Sequence, residues 1–344
     1  MLNAVHHNNV VIFDDRGIPS IMCRYMRPQD AEETPAMFKI GDKVADAIYI
    51  SKYPNVVING RAYSLPMVDP TVCISFDEAV QACRAKGEGW HLMTAVEWEY
   101  LLNQSREKGI LPHGNTNYGK DYYHPNEEGE RKNCGYDRTL TGSGPVTWNH
   151  DHTQYGVSDL NGNVWEWLAG FRIVNGIIEY IPGNYAASTY CDLSKDSKEW
   201  QQIKTNRGPV RVYVERGDIA IVDLPEHEEY EPDYDGVKIA DLTVELSEIP
   251  QALRDLGIIP EKRLEEENNT YVWFDATEGE YMPVRGSAFY LTSNSGPSAL
   301  HLANHRSNSN GAFGFRSAFY EVKGSITLEA YERYKEALEK RGIR

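Results

Sequence analysis

Two capping boxes constrain this chain more than any other feature. Ser75 with Glu78 opens SFDEAVQACRAKG, and Thr94 with Glu97 opens TAVEWEYLLNQSREKG. In each, the hydroxyl accepts the backbone N–H of the acid and the carboxylate accepts that of the cap, so a helix has a defined start. Helical spacing puts Phe76, Ala79, Val80 and Cys83 on one face, and Trp98, Leu101 and Leu102 on the other helix's face, with Gly109 as the stop. Helices are therefore expected over residues 75–87 and 94–109. Elsewhere DLNGNVWEWLAGFRI and GFRSAFY, rich in Val, Trp and Phe, read as strands.

Between residues 109 and 157 Gly, Asn, Tyr and His are frequent and periodicity is lost; such a loop is held by its own side chains or by an ion. From about 184 to 280 the chain reads as an insertion of mixed structure with an acidic, solvated surface. Glu226, Glu228, Glu229, Asp233 and Asp235 lie in it without the spacing of an EF-hand loop. ITLEAYERYKEALEKRG reads as an amphipathic helix, with Leu328, Tyr331 and Leu338 inward and Glu329 paired with Arg333.

A formal net charge of −16 disfavours nucleic acid and anionic membranes as partners. No apolar run reaches the roughly 18 residues of a membrane-spanning helix. The N-terminal MLNAVHHNNVVIFDDRG lacks the basic and apolar regions of a secretory signal. Five cysteines, an odd number without a CxxC pair, argue against a disulfide framework or a zinc cluster. Cys73 and Cys83 are expected as buried free thiols.

Four segments in one order, FKIGDKVADAIYISKYP, WHLMTAVEWEYLL, YGVSDLNGNVWEW and PVRGS…GFRSAF, resemble the formylglycine-generating-enzyme branch of the C-type lectin fold. The resemblance implies an α+β fold in which two helices flank a small twisted, mostly antiparallel sheet, with a large insertion and a C-terminal helix. It divides the chain into an N-terminal extension (1–35), a ligand-binding domain (36–320, with the insertion at about 184–280 and a variable region at about 285–319) and the terminal helix (321–344). It also implies a structural calcium ion on Asp159, Gly162, Val164 and Glu166, hard oxygen donors around a tight turn. Beyond that ion no cofactor is expected. The enzymes of that branch use a cysteine pair that residues 285–316 lack, and His301 and His305 offer no third ligand, so metal-dependent oxidoreductase chemistry is the alternative reading. An adaptor domain that uses the acidic insertion as its interaction surface is a third.

RGSAFYLTSNSGPSALHLANHRSNSNGAFGFRSAF is similar, in register, to the C-terminal cassette of the variable proteins of diversity-generating retroelements, found in phages, bacteria and archaeal viruses. Adenine-directed mutagenesis of Asn codons cannot produce Lys, Glu, Gln, Met or Trp, and residues 285–320 contain none of these. The resemblance implies a non-enzymatic protein with a hypervariable ligand surface on Ala288, Phe289, Tyr290, Leu291, Thr292, Asn294, Ser298, His301, Ala303, Asn304, His305 and Asn308. Arg285, Gly286, Leu300, Leu302, Gly314, Phe315 and Arg316 are the implied scaffold. Leu300, His301 and Leu302 alternate as a half-buried strand should. Tyr, Asn, Ser and His are also paratope residues, giving contact area and hydrogen bonds at low entropy cost. The implied partner is a protein or glycan on a host or neighbouring cell, met from a virion tail fibre or a cell surface, without nucleic acid or membrane insertion; oligomeric state is open.

Overall fold

The computed structural model describes residues 8–131, 137–215, 217–224 and 230–321. Both capping boxes form, and the helices they open run Phe76–Arg84 and Ala95–Glu107. All seven residues assigned to their inner faces are buried. A third helix, Gln251–Asp255, is one turn and a half, and strands dominate, so the molecule is mostly β rather than an even α+β mixture.

Both ends of the described chain meet in one antiparallel sheet, ordered Asn9–Phe13, Pro19–Met26, Ala47–Ser51, Ser317–Glu321, Trp90–Leu92. Strand Ala47–Ser51 is buried throughout, as a central strand covered on both faces must be. The segment before residue 36 supplies two of these five strands, so it is part of the sheet rather than an appendage. The first helix packs on Trp90–Leu92 and Arg61–Tyr63, with Phe76 edge-on to Trp167 at 6.1 Å.

A second, larger sheet carries the cassette. Tyr234–Lys238, Tyr271–Asp275, Leu300–Asn304, Glu280–Arg285 and Phe171–Val174 lie side by side, and Trp165–Trp167 joins Glu280–Arg285 to Phe313–Phe315. Strands expected in a solvated insertion therefore enter the central sheet: Tyr271–Asp275 runs parallel to Leu300–Asn304, with Trp273 opposite His301. The reason is visible in YVWFD, whose Val272 and Phe274 are buried while Tyr271, Trp273 and Asp275 are half-exposed. Residues 225–229, with Glu226, Glu228 and Glu229, and the whole expected terminal helix beyond Glu321 lie outside the described residues.

Side chains hold the long loop. Asp121 accepts the backbone N–H groups of Gly114, Tyr123 and His124 at 2.8–3.0 Å. Asn163 of GNVWEW accepts from the Thr139 N–H and donates to the Thr139 carbonyl, closing the loop onto the sheet. Cys83 is buried as expected, but Cys73 is exposed: it turns the chain at φ 56°, away from the core.

Candidate functional site: an anchored cassette with an aromatic face

Buried ion pairs fix the cassette at each end. Arg285 lies 3.5 Å from Glu99, which also pairs with Arg106, itself bound to Glu267 at 2.8 Å. At the other end the Arg316 guanidinium forks onto Glu166, Nε to Oε2 at 2.6 Å, and donates to the carbonyls of Ser51 and Ser158. Neither Arg316 nor Glu166 is exposed, so a charge-assisted pair links the GFR strand to GNVWEW inside the core. Glycines allow close packing here. A Cβ on Gly286 (φ 87°) would meet the Leu160 carbonyl at 2.7 Å, and one on Gly314 would meet Val164 at 2.9 Å. Leu300, Leu302 and Phe315 are buried with them.

The same geometry does not suit the implied calcium ion. The Glu166 carboxylate is committed to Arg316, so a divalent ion there would set two cations against one carboxylate. Asp159 already accepts the Gly142 N–H at 2.8 Å, and burial pushes its carboxyl up to about 6. Glu166 is instead a fold residue.

Between the anchors the twelve expected contact residues divide. Ala288, Phe289, Ser298 and Asn304 are buried. Ala288 and Phe289 join the cluster around Trp165, the Ser298 hydroxyl is bound to Glu267, and Asn304 turns back to His301 Nδ1 at 2.9 Å. Each therefore serves packing in this chain. Tyr290 and His305 are exposed; Leu291, Thr292, Asn294, His301, Ala303 and Asn308 are half-exposed.

His301 stands in a row of rings: 5.4 Å from Trp273, 5.8 Å from Trp165 and 6.1 Å from Tyr234. Burial drives its imidazole down to about 4, with Asp275 opposing, so it is neutral near pH 7. Tyr290 is bonded to Trp165; burial pushes its phenol up and that bond opposes the shift. Phe289 links it to Tyr118, 5.7 Å from Phe289. Tyr290 and His301 thus share one aromatic face, to which Tyr118, Tyr234, Tyr271 and Trp273 contribute from outside the cassette. The alternation in YVWFD was the sequence signal for two of these; Tyr118 had none. His305 leaves that face and stacks on Tyr281 at 4.9 Å, beside the Arg306–Glu280 ion pair.

The loop of residues 115–123 grips the cassette by its main chain. Tyr118 N–H donates to the Phe289 carbonyl at 2.7 Å, Thr292 N–H to the Thr116 carbonyl at 2.9 Å, and the Tyr123 hydroxyl to the Ser293 carbonyl at 3.0 Å.

Among the described residues no group of three His, Cys, Asp or Glu side chains is arranged to hold a metal. His301 and His305 point to different neighbours. Three imidazoles, His113, His124 and His152, line a separate cavity of about 430 Å³. His113 and His124 are stacked at 3.6 Å and 7°, so no one ion lies in both ring planes. No described helix is long and apolar enough to cross a membrane.

By class, residues 57–219 match the sulfatase-modifying factor enzyme 1-like domain, a match that ends before the cassette begins. Among individual proteins, the chain is 30% identical over 113 residues to formylglycine-generating enzyme of Mus musculus, covering 32% of this chain and 29% of that one. It is 29% identical over 109 residues to inactive C-alpha-formylglycine-generating enzyme 2 of Bos taurus, 29% of this chain and 32% of that one. The chain thus spans about a third of the length of these curated relatives. Similar solved structures include Treponema denticola variable protein 1 (10% identity, 91% of this chain and 99% of that one, TM-score 0.35). Major Tropism Determinant P3c variant (13%, 91% and 61%, TM-score 0.35) and PvdO from Pseudomonas aeruginosa (14%, 91% and 98%, TM-score 0.38) are others.

Proposed function

We propose that this chain is a non-enzymatic, receptor-type binding protein whose ligand surface is a replaceable cassette between Arg285 and Phe319, displayed on a virion or a cell. The observation that carries the reading is the division within the cassette. Leu300, Leu302, Phe315 and both arginine anchors are buried, while Tyr290, Thr292, Asn294, His301 and Ala303 reach solvent from a backbone held by other segments. A surface that changes needs side chains that reach solvent from a backbone fixed independently of them, and this division supports that reading. The ligand class is a protein or glycan on another cell.

The test is the coding locus. Expected are a near-identical template repeat beside a reverse-transcriptase gene, and sibling isolates that differ at the codons of the solvent-reaching residues but not at Arg285, Leu300, Leu302 or Arg316. Siblings identical throughout, with no such repeat, overturn the proposal. A metal-dependent oxidoreductase remains the second reading because of the match over residues 57–219. Its test is oxygen consumption with cysteine-containing peptides, and turnover would place it first.

A further inference from the structure

The exposed face of the cassette strand is continuous with two strands that the cassette does not encode. Tyr234–Lys238, Tyr271–Asp275 and Leu300–Asn304 are adjacent, and the residues facing outward with His301 are Tyr234, Tyr271, Trp273, Asp275 and, at the far end opposite Tyr271, Lys238, whose ammonium is turned to the Asn269 side-chain oxygen at 3.5 Å. Gly236, opposite Trp273, has no side chain; a Cβ there would meet the indole at 2.3 Å, so the glycine makes room for the ring on the sheet. Tyr271 and His301 lie 5.5 and 5.4 Å from that ring. Tyr234 is 45% exposed, and the charges of both Asp235 and Asp275 act on its phenol.

We propose that Tyr234, Trp273 and Asp275 form a constant half of the binding face and select protein partners that present an arginine or lysine side chain. The proposal rests on the ligand-binding reading above and narrows it. Aromatic faces attract cations through the ring quadrupole, and a neighbouring carboxylate adds an ion pair. The neutral His301 at the centre brings no opposing charge, and the net charge of −16 steers basic surfaces inward. A cation fits the constant half whatever the cassette presents beside it.

The experiment uses the full chain with Tyr290, Leu291, Thr292, Asn294, His301 and Ala303 randomised, displayed and selected in parallel on a basic protein, lysozyme, an acidic one, ovalbumin, and an immobilised neutral oligosaccharide. Expected are binders predominantly to lysozyme, weakened about thirtyfold by Tyr234→Ala and by Asp275→Asn, the threshold loss of a binding hot spot. Asp275→Asn keeps the side-chain shape, and equal melting temperatures separate lost contact from lost fold. Lysozyme binders indifferent to both substitutions, equal recovery on ovalbumin, or recovery on the oligosaccharide alone each overturn the constant half while leaving the cassette reading intact. No binders to any target overturns both.

Discussion

At the scale of single residues, two positions carry sharp consequences. Arg316 and Glu166 are a fully buried pair, so Arg316→Ala leaves a carboxylate in the core without its cation. The expected loss is about 3–5 kcal/mol in denaturant unfolding. Calcium or chelator should leave the melting temperature of the unaltered protein unchanged, since the guanidinium already fills the cationic role. Thr292 holds φ 52°, a left-handed conformation unfavourable for a β-branched residue. Thr292→Asn should stabilise the protein by up to about 1 kcal/mol, read in the same unfolding curves. His301 bears on acid stability. Its folded value of about 4 lies below that of a free imidazole, so the unfolded chain takes up the proton first. That contribution is whole above about pH 6.5 and disappears as the pH falls towards about 4. His301→Gln should flatten the decline of melting temperature across that window; His150, also driven to about 4 by burial, keeps part of it.

At the scale of elements, legibility followed locality. A capping box joins residues three apart, and both helices could be read from them. So could Leu300–Asn304, because alternation is written in the strand itself. Pairing partners could not: nothing in YVWFD says that it lies beside LHLAN, and the acidic composition around it hid a central strand. That Glu166 is committed to Arg316 was hidden for the same reason, since the pair meets across 150 residues of sequence. Four of the twelve expected contact positions proved buried because exposure depends on neighbours from other segments, as Ser298 on Glu267 illustrates. The strand's two faces should separate in mutagenesis. Leu302→Ala should cost about 2–5 kcal/mol and Trp165→Ala about 3–5 kcal/mol, whereas Ala303→Ser should leave the unfolding midpoint unchanged.

At the scale of the whole molecule, one sheet ties together both ends of the described residues and the other carries the cassette strand, so the proposed binding face rests on strands drawn from far apart in sequence. The grip of residues 115–123 on main-chain atoms has a further consequence. Carbonyls and amide hydrogens are common to every residue but one, so those bonds survive any side chain except proline. The Thr292 N–H is spent in this way on Thr116, and the Phe289 N–H is likewise spent, on the Asn163 carbonyl outside that loop. Of all the letters that could be written into this stretch, proline at those two places is the one the main chain itself forbids; a census of functional siblings should show it missing there while tolerating it at exposed Ser307 and Ser309.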